Sequence, residues 1–438
     1  MVLRDVGQRV LIRNRDALAT TPARRAALAI AEAALEAIDT IAATRRAVAL
    51  DGETLRVAGA PVAPAARLRL VAVGKCATAA AAALADVLGP RLADGIVLDV
   101  AEAVPLPLRG MRVLRGTHPM PSDANVEATR SILRFLEGGR PDDVVLCVVS
   151  GGGSTLLCLP PPGGSVEGER AVLETLFRAG ATVQEINTVR KHSSLARGGN
   201  LARAAHPARV IGLIFSDVPG APPEVVASGP TALDGGTVAD ARRVLARYGV
   251  PAGREPAGLA LIETPKDPAI FERVTNVVLV SNQIALDAMA SAARREGLRP
   301  VARTATLSGE ARDVAAQVLR DLHAAPPGAA LLYGGETTVT VRGAGRGGRN
   351  LELALAALGG VLGGELVLTL ATDGRDNGDL AGAIADAVTR ESARRAGADP
   401  AAFLAANDSY GFFARVPQAL ETGPTGANVA DLIVALRR

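Results

Sequence analysis

DVVLCVVSGGGST, residues 143–155, is the stretch whose reading decides the fold. Its first eight residues are apolar almost throughout, with no alternation of polar and apolar positions. That pattern belongs to a strand covered on both faces, as in a parallel sheet. Three glycines, Gly151, Gly152 and Gly153, then interrupt the chain between Ser150 and Ser154. Glycine accepts positive φ and lets backbone N–H groups close on an anion, and a helix starting here would add its dipole. Pro160-Pro161-Pro162 keeps that helix short. The same glycines would also serve a flexible tight turn, so two readings stand: phosphate loop or plain turn.

Working outward, the strand–turn–helix pattern recurs on both sides. LRLVAVG (68–74) leads into the helical ATAAAAALADVL (77–88). GIVLDV (95–100) and MRVLRG (111–116) precede a helix over about 123–137, and ARVIGLIFSD (208–217) is another apolar strand. Upstream, the Ala-rich residues 23–49 read as one long helix, and residues 187–205 as a helical region interrupted by Gly198-Gly199. Pro and Gly then concentrate at 219–236, which marks a hinge. Beyond it come VTNVVLVSN (274–282), a helix over 284–296, AALLYGGETTVTVRG (329–343), a helix over 350–358 and ELVLTLATDG (365–374). TVTV alternates where a buried parallel strand would be solidly apolar, so the second sheet is expected to be mixed. The expected class is α/β with two domains: residues 1–235 around a parallel sheet with helices on both faces, and residues 236–438 around the mixed sheet.

Composition narrows the function classes. A chain of 438 residues is too long for one ordinary core, and 48% hydrophobic with 21% charged residues excludes a disordered chain. The net charge of +3 is spread along the sequence, which gives no support to nucleic-acid binding. Cys76, Cys147 and Cys158 form no CxxC pair, so neither a disulfide framework nor a zinc site is expected. The N-terminal stretch lacks the apolar run of a signal peptide, and no run approaches the roughly 20 residues of a membrane span. A cytoplasmic protein is expected.

Only three of the 48 basic residues are lysines: Lys75, Lys191 and Lys266. Lys75 follows Gly74 at a strand end, where open α/β sheets bind ligands. It is not a Walker A lysine, because position 69 is Arg and position 76 is Cys. Arg190-Lys191-His192 reads first as a charged helix face. Asp217 ends an apolar strand, where a carboxylate can act as a base, hold Mg²⁺ or cap a helix. GAGRGGRN (343–350) contains the spacing G-x-G-x-x-G, yet Arg346 and Arg349 suit phosphate or carboxylate oxygens better than a nicotinamide. Asp373, Asp376 and Asp379 share part of a calcium-loop spacing, but position 384 is Ile where that loop needs Glu. The four histidines do not cluster, and Ser150 and Ser154 lie in no GxSxG elbow.

Taken in order, VAVGK (71–75), GTHPMPSDAN (116–125), SGGGSTLL (150–157), NTVRKHSSLARGGNLA (187–202), SDVPG with VVASGPT (216–231), YGGETTVTVRGAGRGGRNLEL (333–353), ATDGRDNGDLAGAIAD (371–386) and TGPTGANVADL (422–432) strongly resemble the class II glycerate kinases. The C-terminal part of that family is called the MOFRL domain, here about 325–438. The resemblance implies ATP-dependent phosphorylation of D-glycerate at its 2-hydroxyl with Mg²⁺, by a Rossmann-like N-terminal domain and a smaller C-terminal domain with the active site in the cleft. It carries a catalytic role to Lys75, Asp217 and Arg349, with Asp217 also as metal ligand. Ser150, Gly151, Gly152, Gly153 and Ser154 would hold nucleotide phosphates, and Lys191, Glu336, Asn350 and Asp373 would bind substrate or support the site. No nucleic acid or membrane partner is implied, and a homodimer is compatible with it. Three positions depart from the family's usual pattern: Ala221-Pro222-Pro223 replaces acidic residues, Leu351 replaces Gln, and Asn377 replaces Gly. They leave room for another small hydroxy acid as acceptor. Hydroxypyruvate reduction, which the G-x-G-x-x-G match would favour, and phosphosugar binding without catalysis are the rival readings.

Overall fold

The run at 143–150 is a strand, Asp143–Ser150, buried along its whole length. It lies inside a six-stranded sheet built from β1 (Arg67–Val73), β2 (Leu92–Val100), β3 (Met111–Gly116), β4 (Asp143–Ser150), β5 (Arg209–Phe215) and β6 (Val274–Val280). The spatial order is β3-β2-β1-β4-β5-β6. The pairs β1–β2, β2–β3, β1–β4 and β4–β5 are parallel. This is the doubly wound order of nucleotide-binding α/β folds, and its direction of winding reverses between β1 and β4. The C-terminal ends of those two strands carry Gly74-Lys75 and the Gly151–Gly153 turn.

A computed structural model describes residues 11–51, 54–103, 106, 108–218, 220, 222–250 and 256–438, and the chain separates into two compact units. One comprises residues 40–217 and 221–279, with the parallel sheet. The other comprises residues up to 39, residues 218–220 and residues 280–438. Among the described residues no helix is long and apolar enough to cross a membrane.

The second unit holds β7 (Arg299–Glu310), β8 (Ala329–Thr338), β9 (Glu365–Ala371), β10 (Gly382–Asp386), β11 (Ala419–Leu420) and β12 (Asp431–Arg437). Their order is β7-β8-β12-β9-β10-β11. Only β7–β8 runs parallel; β12 inserts antiparallel to both β8 and β9, so the sheet is mixed.

Two expectations need correction. The helix expected over 23–49 is two, Pro22–Ile38 and Thr40–Arg46, because Asp39 takes an extended backbone. The first helix belongs with the mixed sheet: buried Arg24 bonds both Asp386 oxygens at 2.7 Å and Gln418 Oε1 at 2.5 Å. The boundary expected at 235/236 falls at 279/280, because β6 completes the parallel sheet beside β5. The interruption expected at Gly198-Gly199 is present: residues 187–205 span two helices, Val183–His192 and Asn200–Ala205, the second preceded by Gly198 and Gly199 at positive φ.

Candidate active site

Val73 of β1 pairs with Val149 of β4, so the turns that follow the two strands meet. The Lys75 amide donates to Gly151 O at 2.9 Å. The Ser150 hydroxyl is spent internally, donating to Val73 O at 3.3 Å and accepting from the Cys76 amide at 3.3 Å. Gly152 takes a left-handed conformation at φ 83° and opens a single helical turn, Gly153–Leu156. A Cβ at Gly152 would meet Lys75 Cγ at 3.1 Å and His118 Cδ2 at 3.4 Å. A Cβ at Gly151 would overlap the Asp217 carboxylate, so the missing side chain is what lets Asp217 stand against the loop. Ser228 Oγ bridges Ser154 Oγ and Asn187 Oδ1, each at 2.9 Å. The structure therefore brings together Lys75, Ser150–Ser154 and Asp217, at the point of the sheet where open α/β folds bind ligands.

Two residues join them that sequence reasoning did not select. His118 stands beside the turn next to Lys75, and burial together with the charges of Lys75 and Arg190 lowers its pKa to about 4. Arg190 reaches Thr155 Oγ1 at 3.3 Å; burial, with Arg197 beside it, lowers its pKa to about 10. Both residues belong to motifs already quoted, GTHPMPSDAN and NTVRKHSS, but their proximity depends on tertiary folding. Lys191 points elsewhere. It bonds Asp234 Oδ1 at 3.0 Å, while Lys266 donates to Asp234 O at 2.7 Å and Thr264 Oγ1 to Asp234 Oδ2 at 3.1 Å. Two of the chain's three lysines thus converge on one buried aspartate, which leaves Lys191 holding the surrounding loop.

The mixed-sheet unit gathers the remaining predicted residues. Gly335 of β8 faces Asp431 of β12, which puts Glu336 and Asp431 together at one end of the central strands. Arg349, the first residue of the helix Arg349–Leu358, lies between them. Its Nε and Nη2 donate to Asp431 at 2.5 and 3.2 Å, and its Nη1 pairs with Glu336 at 2.6 Å. Asn350 Nδ2 donates to Asp431 Oδ1 at 2.9 Å. Burial pushes the Asp431 carboxyl up to about 6, against the downward pull of Arg349 and Asn350.

The G-x-G-x-x-G segment is filled from within. Asp376 accepts from the Asn350 and Leu351 amides at 3.0 and 2.7 Å, occupying the helix N-terminus that a dinucleotide fingerprint leaves for pyrophosphate. Gly348 abuts Asp376, and Gly343 and Gly345 abut the backbone at Ala406 and Asp408. The three loop aspartates also part company. Asp373 caps the Arg375 amide at 2.9 Å and Asp379 accepts from the Tyr410 hydroxyl at 2.9 Å. Among the described residues there is no group of three His, Cys, Asp or Glu side chains arranged to hold a metal.

Two family models match the chain: a domain of unknown function, DUF4147, over residues 26–261, and the MOFRL family over residues 329–431. A D-glycerate 2-kinase of Thermotoga maritima is 36% identical over 381 residues, covering 84% of this chain and 90% of its own. The chain belongs to the class II glycerate kinases. A crystal structure of a glycerate kinase from Thermotoga maritima matches with a TM-score of 0.83 and 33% identity, over 94% of this chain and 99% of that one. A relative from Agrobacterium vitis, provisionally named a hydroxypyruvate reductase, is 39% identical over 388 residues, 85% of this chain and 87% of its own. The enzyme is a phosphotransferase with a Rossmann-like parallel unit.

Proposed function

We propose that the enzyme transfers the terminal phosphoryl group of ATP to the 2-hydroxyl of D-glycerate, yielding 2-phosphoglycerate and ADP. The observation that carries the proposal is Lys75, a cation with no acidic partner among the described residues, standing over a left-handed glycine turn beside Asp217. The Thermotoga maritima and Pyrococcus horikoshii relatives, both named glycerate 2-kinases, support the acceptor.

Phosphoryl transfer asks the protein for positioning and charge neutralisation more than for covalent chemistry. The amides of the Gly151–Ser154 turn and the Lys75 ammonium hold phosphate oxygens, the turn by N–H groups and the lysine as a point charge. Asp217 orients the acceptor hydroxyl and receives its proton, or serves as metal ligand. A single carboxylate ligand fits Mg²⁺, which keeps several waters and takes one or two carboxylates plus substrate phosphates. Bound Mg²⁺ would neutralise phosphate charge. Arg349 supplies a cation for the transferring phosphoryl group or the acceptor carboxylate. Its Nη1 is the exchangeable edge, because Glu336 is 55% exposed while Asp431 is 7% exposed.

The test is a coupled assay with ATP, Mg²⁺ and D-glycerate, read through enolase, pyruvate kinase and lactate dehydrogenase without phosphoglycerate mutase. Glycerate-dependent signal without mutase is the expected result. Signal that requires mutase would mean 3-phosphoglycerate, and would overturn the proposed regiochemistry.

A further inference from the structure

Arg190 lies on the helix Val183–His192, whose start is fixed by a Thr182–Glu185 capping box and by bonds from Arg247 and Tyr248 to Glu185 at 2.5 and 2.7 Å. From this held helix the guanidinium reaches the glycine turn, where Nη2 donates to Thr155 Oγ1. Thr155 in turn donates to Pro119 O at 3.2 Å, beside His118. Nε of Arg190 is buried and has no hydrogen-bond partner. The nearby carboxylate that could neutralise it, Glu169, is committed to Arg197 at 2.7 Å, Ser193 at 3.3 Å and Cys158 at 3.6 Å. A partly buried guanidinium whose Nε has no partner and which has no paired acid among the described residues is costly, and its planar fork matches carboxylate and phosphate oxygens. Lys191, its neighbour on the helix, is by contrast fully engaged with Asp234.

We propose that Arg190 is a further substrate-binding residue of this kinase, holding, together with Lys75, a carboxylate or phosphate group of a substrate against the Gly152–Thr155 turn. The inference rests on the kinase reading for the identity of that substrate, and on the geometry alone for the anion. Thr155 is a neutral placeholder for the guanidinium, and a ligand oxygen completes its bonding. His118, wedged beside both cations, stays neutral and adds no third charge to be compensated.

The experiment titrates ADP, D-glycerate and inorganic pyrophosphate calorimetrically into wild-type protein, Arg190→Gln and Arg190→Lys, with thermal melts of all three. Arg190→Gln is expected to weaken either ADP and pyrophosphate or D-glycerate at least tenfold, leaving the other arm within about twofold, with Arg190→Lys intermediate. The affected arm tells phosphate from carboxylate. Affinities all unchanged in a folded variant would overturn the inference, as would equal losses in every arm accompanied by a lower melting temperature, which is the mark of a structural arginine. Arg190-dependent pyrophosphate binding without transfer to glycerate would remove the kinase reading and keep the inference. Transfer to glycerate with unchanged affinities in Arg190→Gln would do the reverse, and a wild type that binds none of the three would remove both.

Discussion

Lys75 and Arg349 are the two cations on which the family resemblance places the chemistry, and the two units surround them in opposite ways. Around Lys75 cations lie near one another without ion pairs: among the described residues neither Lys75 nor Arg190 has an acidic ion-pair partner, and burial with the two cations holds His118 neutral down to about pH 4. Around Arg349 negative charge is in excess: Glu336 and Asp431 both grip it, and Asp376 lies close behind. Cations without ion-pair partners are suited to receive an anion. A group with acid to spare fixes its arginine before any ligand arrives. The lesson is that two cations carried over from one family stand in different surroundings, which under the proposed function makes one the receiving and the other the pre-oriented group.

The sharpest break would come from Lys75→Ala. Because Lys75 is exposed and has no side-chain partner among the described residues, its loss should leave the melting temperature unchanged and lower kcat/KM by a factor on the order of 10²–10³, as removal of one transition-state donor does. Steady-state kinetics decide it, and a loss under threefold would strip the parallel unit of its assigned part. Gly151→Ala comes next. Its new methyl group displaces the Asp217 carboxylate, so kcat should fall by about 10², alongside Asp217→Asn. Wild-type turnover in Gly151→Ala would mean that the position of Asp217 does not matter.

Asp431 sharpens the other side of the comparison. Its carboxyl titrates near 6 in the fold, because of burial, against an ordinary value of 3.8. The folded state therefore binds that proton more tightly than the unfolded state. The stability this contributes is complete below the ordinary value and is lost as pH rises through 6. Activity runs the opposite way, since only the carboxylate aligns Arg349, so kcat/KM should fall on the acid side of pH 6. Asp431→Asn should abolish both slopes; pH–rate profiles and urea melts at pH 5 and 7 check them. His118 gives the smallest effect. Its pKa is lowered, so its contribution to stability is present above about 6.5 and is lost as pH falls toward 4. His118→Asn should lose less stability between pH 7 and 5 than wild type, and an equal loss would remove the two cations from its surroundings.

The parallel unit was legible because its signals are local. Continuous apolar strands and glycine turns announce themselves within a dozen residues, and Lys75 and Asp217 sit on strand ends. The insertion of β12 between β8 and β9 was not, since it pairs residues 431–437 with strands some 60 to 100 positions earlier. The break at Asp39 was likewise hidden. Ala-rich sequence on both sides favours continuing the helix, and the bond that ties its first part to the mixed sheet joins Arg24 to Asp386, 362 residues away. His118 and Arg190 could be read as members of motifs but not as neighbours of Lys75. The glycines of 343–348 signalled close packing, while their occupant, Asp376, became visible only in three dimensions.

The most direct test is phosphorus NMR of the ester formed from ATP and D-glycerate, with wild type and Lys75→Ala run side by side. Phosphate on the 2-hydroxyl couples to a single proton and gives a doublet; on the 3-hydroxyl it couples to two and gives a triplet. The account predicts a doublet that wild type produces and Lys75→Ala does not. A triplet, no ester at all, or equal product from both proteins would contradict it.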